Sequence, residues 1–473
     1  MGFFAGRGAV VTVLLCAAAW ALVILVNPLV AAALLIAAAA VFAAVKTDVF
    51  FFAVLFVLLY PALPFQAGIS FGEAFPVIRA HRVLMFFFIL CWMSKKKTQA
   101  NAQSLAGFPM TLSLAAVLLV YAASFFVNGN VGGMFFFTGE FVFENFMIAF
   151  IFYDVFRSRK EGDFQRLFFF MMAAAIVPFF LGVFEYATGA NAFAFIEPYR
   201  NTLSGFLQEQ ERFGVVRVRG GFSHSIIYGL FFAMTMPAAF VYFMHRSRVQ
   251  RRKRNILYLL GFLAFSFAGV YMSASRVALA VFFVNAVLMA VYVRVASPVV
   301  FTVALVTLAA APFTDMPFLK KAVMLVTSLA GGSTDFSELG YSSYSRMKQF
   351  FYYWKDVIRS PLLGQGQINR LGQQRVIDNR YLYCLINNGL AGMAVYVWFF
   401  LQPMIMAARG AMYSGSSESR YRDVSFCAFT VTLSTLIAFG VLTLTDHLYL
   451  VWIYIGLFLA ARYKHGRQKE QTV

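Results

Sequence analysis

Apolar runs of bilayer-crossing length recur from one end of this chain to the other, and that repetition confines the fold to two classes. Backbone N–H and C=O groups in hydrocarbon must be satisfied within the protein, so only helix bundles and closed β-barrels span membranes. Barrel strands alternate apolar and polar residues. The runs here are continuous, as in VLLCAAAWALVILV. A helical span needs about 20 apolar residues to cross ~30 Å of hydrocarbon. Such runs lie near residues 8–26, 28–45, 49–66, 82–93, 109–127, 139–156, 167–187, 222–244, 256–273, 277–293, 296–313, 381–405, 424–442 and 447–462. The expected fold is an all-α, polytopic transmembrane bundle of about 12–14 spans.

With 473 residues the chain could hold about three soluble domains, but 61% hydrophobic and 12% charged composition argues for one bundle. Its divisions are N-terminal spans (1–187), an outer loop (188–221), central spans (222–313), a large outer loop (314–380), and C-terminal spans with a tail (381–473). Arg7 precedes the first apolar run, and a second run follows Asn27-Pro28 at once, so the first reads as a retained signal anchor. Cys16, Cys91, Cys384 and Cys427 fall in or beside spans, with no disulfide or zinc spacing.

Basic clusters at Lys95–Lys97, 157–166, 246–254, 409–422 and 462–469 fall on one side of this topology. That side reads as cytoplasmic, as do both termini. The opposite face also carries positive charge, including Arg79, Arg82, Arg200, Arg212, Arg217, Arg219, Arg276, Arg346, Arg375 and Arg380. Cations on translocated loops run against the insertion bias, and an anionic ligand is the simplest user of them. Nucleic acid is excluded as a partner by the side of the membrane.

Loop 188–221 holds Glu209-x-Glu211-Arg212 and ends Arg217-Val-Arg219-Gly-Gly-Phe-Ser-His224. Glycines ahead of a helix let backbone approach an anion. Arg217 and Arg219 fit such a rim, or equally reach lipid headgroups. His224 fits a helix cap as well as a substrate contact. Ser273-Ala-Ser275-Arg276 makes a tight turn between spans. In loop 314–380, Met347, Phe350, Phe351, Trp354, Val357 and Ile358 form one helical stripe, predicting an amphipathic interfacial helix. Pro361 ends it, and Gly364 and Gly366 predict a pliable exit. Asp378-Asn379 precede the next span; Asp378 suits a base or acceptor-orienting group kept ionised by Arg375 and Arg380, or a helix cap. The small residues of Asn387-Asn-Gly389-Leu-Ala-Gly392 predict close helix packing.

In this order the motifs resemble the O-antigen ligase / Wzy-type polysaccharide polymerase superfamily of bacterial inner membranes. The likeness covers roughly residues 200–405 and rests on four elements. These are Arg217/Arg219 with Gly-Gly-Phe-Ser-His, Ser275-Arg276, Ser345-Arg346 through Pro361-Leu-Leu-Gly364-x-Gly366, and Asp378-Asn379-x-Tyr381-Leu with Gly389-Leu-x-Gly392. The resemblance implies a GT-C type fold and metal-independent inverting glycosyl transfer from an undecaprenyl-diphosphate-linked oligosaccharide at the periplasmic face, with no cofactor. It implies Arg219, Arg276 and Arg346 as a diphosphate clamp and Asp378 as the acceptor-side group. Arg217, His224, Glu211, Asn379, Arg375 and Arg380 are implied as substrate contacts. Further partners are the bilayer, a chain-length regulator and export machinery. Arginine forks suit phosphate oxygens in a metal-free site, and no Asp-x-Asp occurs.

Ligases of this group carry His where Asp378 stands, and the Phe-Ser-His224 and Asp-Asn elements look closer to exopolysaccharide or capsule polymerases. Polymerase is therefore the leading expectation, ahead of an O-antigen ligase acting on lipid A-core. A lipid-linked glycan transporter is the alternative of another class. It would place ionisable groups and broken helices at mid-membrane, and Glu140 and Glu144 are its main candidates.

Overall fold

A computed structural model describes residues 48–65, 68–69, 78–96, 107–194, 211–212, 215–250, 254–293, 339–366, 377–412, 419–443 and 447–472. The expected spans at 8–26, 28–45 and 296–313 lie outside these residues. The other expected spans each fall on a helix. In chain order these are α1 (Val49–Leu59), α2 (Ala80–Lys96), α3 (Thr111–Val127), α4 (Val131–Phe141), α5 (Met147–Phe156), α6 (Glu161–Ala173) and α7 (Ile176–Thr188). Then come α8 (Ser225–Gln250), α9 (Arg254–Met272), α10 (Arg276–Val293), α11 (Leu339–Arg359), α12 (Arg380–Ala411), α13 (Ser419–Phe439) and α14 (Leu448–Thr472). Two minimal antiparallel ladders join them: β1 (Gly68–Ile69) with β2 (Ile78–Arg79), and β3 (Glu211–Arg212) with β4 (Val215–Val216).

Among the described residues, six helical stretches are long and apolar enough to cross a membrane: 131–156, 161–188, 225–247, 254–272, 380–411 and 420–439. The first joins α4 to α5 through one π-helical turn, Val142–Phe146. The second runs α6 into α7. Shorter apolar helices cover α1, α2, α3 and α10.

The bundle is built around α8, which packs on α6, α9, α10 and α13. Four further pairings, α12 with α3 and with α13, and α14 with α5 and with α13, add to it. Apolar packing gains little from the hydrophobic effect in lipid, so interhelical polar contacts matter more there. One shows why. Pro237 sits inside α8 and has no N–H, which leaves the Ala233 carbonyl without its helical donor. The buried Asn285 of α10 supplies it, donating from Nδ2 at 2.8 Å. Ser434 of α13 in turn donates to Asn285 Oδ1 at 2.7 Å. Three helices are thus tied through one proline's missing donor.

The helix termini sort into two ends. One gathers Asp48 with Arg159, Arg420 with Glu161, Lys464 with the Arg159 carbonyl, and Trp92 with Asp154. Most of the basic clusters read from sequence lie at this end. The Arg159 guanidinium holds the Asp48 carboxyl below its ordinary range. The other end gathers the close of α1, α7, α9 and α13 with the start of α2, α8, α10, α12 and α14. The Phe65 N–H donates to the Gly221 carbonyl at 2.7 Å, and the Val218 N–H to the Met272 carbonyl at 3.1 Å.

Helix α12 is not one continuous rod. Gly389 takes φ 66° and ψ −169°, a conformation nearly confined to glycine. The backbone groups freed there are met by the turn after α11. Leu390 and Ala391 N–H donate to the Pro361 and Leu362 carbonyls at 2.8 and 3.1 Å. Gln365 and Gly366 N–H donate to the Ile386 and Asn387 carbonyls, both at 2.9 Å. From α3, Ser124 Oγ donates to the Asn387 carbonyl at 2.9 Å and Asn128 Nδ2 to the Gly364 carbonyl at 3.1 Å. Two expectations are corrected here. Gly389 serves a helix break rather than helix packing. The Gly364–Gly366 exit is fixed in place by main-chain bonds, not pliable.

Candidate functional site

The end that collects the outer loops also collects buried polar side chains in an aromatic surround. Arg380 opens α12 and is only 8% exposed. Its guanidinium lies 5.1 Å from the ring centres of both Tyr383 and Tyr396. Tyr121 and Cys384 also stand near it. Its Nη1 donates to the Thr443 carbonyl at 3.4 Å, the Cys384 thiol and the Tyr396 hydroxyl lie within hydrogen-bonding reach of the guanidinium, and Nε has no partner among the described residues. No carboxylate pairs with it among the described residues. A desolvated cation without an anion is costly, by several kcal/mol even after relaxation. Tyrosine faces offset part of that.

Its neighbours are also under-satisfied. Both ring nitrogens of His447 and the Tyr449 hydroxyl are buried and lack partners among the described residues. The Tyr449 ring lies tilted against Tyr60 with centres 4.0 Å apart, and Tyr60 and Phe65 flank His81. Phe65 reaches Phe222, beside the Arg219 turn, at 5.8 Å. A continuous aromatic seam therefore runs from the start of α8 to the start of α14.

Next to it lies an ion cluster inside the spans. Arg82 of α2 binds both Glu140 of α4 and Glu144 of the π-turn. Glu140 acts electrostatically on Tyr383, the residue whose ring carries Arg380. Arg79 acts on Glu144. Within the π-turn, Asn145 Oδ1 accepts from Trp452 Nε1 at 2.9 Å, fixing the turn against α14. Single π-turns inside α-helices are frequent at functional sites.

The residues offered by the sequence distribute unevenly around this region. Arg219 is buried with its Nε 3.9 Å from Glu185. Glu185 Oε2 also accepts from the Arg219 and Gly220 N–H groups at 3.1 and 2.6 Å. The glycine turn expected to greet an anionic ligand therefore already holds a carboxylate of the chain itself. Gly220 has φ 53°, and Asn191 Nδ2 donates to its carbonyl at 2.9 Å. Arg217 is half-buried beside it. His224 acts as a cap, its Nδ1 accepting from the Ile226 N–H at 3.0 Å.

The Ser273–Arg276 turn lies alongside this segment. Ala274 has φ 46°, Ser275 Oγ accepts from the Ala278 N–H at 3.3 Å, and Arg276 is half-buried at the start of α10. Asn379, not Asp378, caps α12: its Oδ1 accepts from the Leu382 N–H at 3.0 Å and its Nδ2 donates to the Gly440 carbonyl at 2.8 Å. Asp378 is half-buried, and its N–H donates to Gln349 of α11 at 3.2 Å. Arg346 falls on α11 and Glu211 on β3, with side chains outside the described residues, as is all of Arg375.

Helix α11 lies against the first turns of α12 through Val357, which is buried with Leu382 and Ile386. The apolar stripe divides here. Phe350, Phe351, Trp354 and Ile358 are exposed, Phe351 at 78%, while Val357 faces the bundle.

Arg219 and Arg276 thus share a neighbourhood, and Arg380 with Asn379 forms a second one, joined to the first by the aromatic seam. The members missed from sequence are Glu185 and His447; Arg82, Glu140 and Glu144 were each named, but not as one ion cluster. An acidic residue in an apolar run was the available signal for Glu185. The chain matches no family model and no curated protein.

Proposed function

We propose that this multi-pass membrane protein polymerises undecaprenyl-diphosphate-linked oligosaccharide repeats by metal-independent inverting glycosyl transfer at the outer face of a bacterial inner membrane. The observation that carries the reading is Arg380, a buried guanidinium set in tyrosine rings without a described carboxylate partner. A diphosphate leaving group supplies the anion such a group lacks, in a water-poor site where its charge is stabilised strongly. Arg276 and Arg217 add positive charge at the same end of the bundle, while Arg219 is already partly neutralised by Glu185. The exposed stripe of α11 suits the membrane–water interface, where a lipid-linked substrate arrives. Asp378, at the mouth of α12, suits an acceptor-orienting role. The excess of basic residues in one set of loops supports both termini in the cytoplasm.

A transporter reading draws support from two features: ionisable groups inside the spans at Arg82, Glu140 and Glu144, and the break in α12. In transporters, unwound backbone is left to coordinate cargo. Here the break is filled by the 361–366 turn, which favours the enzyme. The test is the purified protein in vesicles supplied with a lipid-linked repeat. Polymerase activity lengthens the glycan and releases undecaprenyl diphosphate. Movement of an unchanged glycan across the bilayer would replace this reading with transport. In cells, deletion should leave single lipid-linked repeats, whereas finished polymer held on its carrier would indicate a ligase.

A further inference from the structure

Exposed apolar side chains form a stripe on α12 at Leu390, Ala394 and Trp398, spaced i, i+4 and i+8, and another on its neighbour α3 at Leu112, Leu119 and Phe126. Lipid tails are as apolar as leucine, so such faces of a membrane bundle rest against the bilayer. The turn after α11 sits beside the start of the α12 stripe. The Leu390 N–H donates to the Pro361 carbonyl at 2.8 Å and the Ala391 N–H to the Leu362 carbonyl at 3.1 Å, while Leu362 itself is 66% exposed. From Leu362 the exposed face continues back along α11 through Ile358, Trp354 and Phe351, at steps of four, four and three residues. Lys355 and Arg359 are exposed on one flank of it. The lipid-facing surface of α12 thus runs on through Leu362 to α11. Aromatic and aliphatic residues flanked by basic ones are the set that seats a helix in a membrane interface.

Helix α11 and the turn that follows it are tied together. Gln365 Nε2 donates to the Asp356 carbonyl at 2.6 Å, the Gly364 N–H to the Ser360 carbonyl at 2.9 Å, and Ser360 Oγ to the Gly364 carbonyl at 2.7 Å. The buried apolar contact of α11 with the bundle is small by comparison. Among the described residues it is Val357 with Leu382 and Ile386, with Tyr353 packed beside them. We propose that the exposed face of α11 is seated in the lipid leaflet at this end of the bundle, and that this contact keeps the 361–366 turn docked in the break of α12. Phe351, Trp354 and Ile358 enter the acyl boundary, and Lys355 and Arg359 reach up to headgroup phosphates. The inference rests on the helical architecture and not on the polymerase reading. Through the turn, the leaflet steadies the first half of α12, which carries Asn379 and Arg380 at its start.

The test uses the full chain in phospholipid nanodiscs, with its four native cysteines replaced by alanine. One nitroxide is attached at Phe351→Cys, Ile358→Cys, Lys355→Cys or Trp398→Cys. Labels at 351 and 358 should be relaxed by oxygen more than by a water-soluble nickel chelate, as at 398, and the label at 355 should show a lower oxygen-to-nickel ratio. Nickel access at 351 and 358 overturns the proposal, because the face then lies in water. Access to neither reagent also overturns it, because a second copy or another protein then covers the face. Hydrogen exchange measures the coupling to the break. Phe351→Asp with Ile358→Asp should speed exchange at the Gln365, Gly366, Leu390 and Ala391 amides by about tenfold or more, as local opening of that unit becomes easier, and leave α8 unchanged. Phe351→Ser takes the place of the double variant where the latter does not accumulate. Unchanged exchange at those four amides overturns the coupling, and so does a rise spread equally over α8, which marks general unfolding.

Discussion

Asn285→Ala tests the claim that Pro237 is tolerated because another helix replaces its missing donor. The substitution removes the 2.8 Å bond to the Ala233 carbonyl and the 2.7 Å bond from Ser434. An unsatisfied buried carbonyl costs about 1–3 kcal/mol. Interhelical hydrogen bonds in membranes average about 0.6 kcal/mol and reach about 1.7, because the unfolded chain finds partners too. The expected loss is therefore roughly 1–2 kcal/mol. Pro237→Ala restores an N–H that can reach Ala233 along the helix, which makes the Asn285 amide redundant. In the double variant, Asn285→Ala should cost about 1 kcal/mol less than it does alone. Reversible unfolding in bicelles, by steric trapping, measures all corners of this cycle. Additivity within about 0.5 kcal/mol would refute the reasoning, because the carbonyl would then not depend on Asn285.

Gly389→Ala should destabilise α12 strongly, since its added Cβ meets the Leu362 carbonyl at a positive φ; a normal unfolding midpoint would dispute the break. Arg380→Lys keeps the charge but loses the planar fork and should reduce polymer in cells at least tenfold at equal protein level; full polymer removes Arg380 from the site. A cysteine at Ser343 should react with an impermeant thiol reagent from outside and one at Ser247 should not, and the reverse pattern inverts the topology. Asp48 has a lowered folded-state pKa, so its pairing with Arg159 stabilises at neutral pH and is lost as pH falls below the ordinary value of 3.8. The midpoint difference between the parent protein and Asp48→Asn should therefore shrink on acidification, and a constant difference would contradict the pair.

The helices were legible because a span is a local property: about 20 apolar residues announce it. The tight turn at Ser273–Arg276 was legible for the same reason. What escaped depends on distant partners. Arg82 reads as a loop cation until Glu140 and Glu144, 58 and 62 residues on, are folded against it. Glu185 lies in an apolar run, and its capture of the Arg219–Gly220 N–H groups has no local signature. Glycine before a helix suggested a site for an anionic ligand, whereas the carboxylate held there is the chain's own Glu185. The capping role at α12 was visible in Asp378-Asn379 as a pair, and only backbone geometry chose Asn379.

The junction at Gly389 bears on how the protein is made. The first half of α12 carries Arg380, Asn387 and Asn388, and its exit backbone groups have no partners within their own helix. They find them in residues 361–366, synthesised just before, and in Ser124, synthesised more than two hundred positions earlier, while Asn128 holds the Gly364 carbonyl of that preceding turn. A nascent α12 leaving the insertion machinery therefore cannot settle as an independent span. Its upper half must wait for α3 to be in the membrane and for the preceding turn to dock. Biogenesis of this end is consequently a late assembly step that joins three distant stretches of chain, and substitutions at Ser124 or Asn128 should appear first as lowered protein yield.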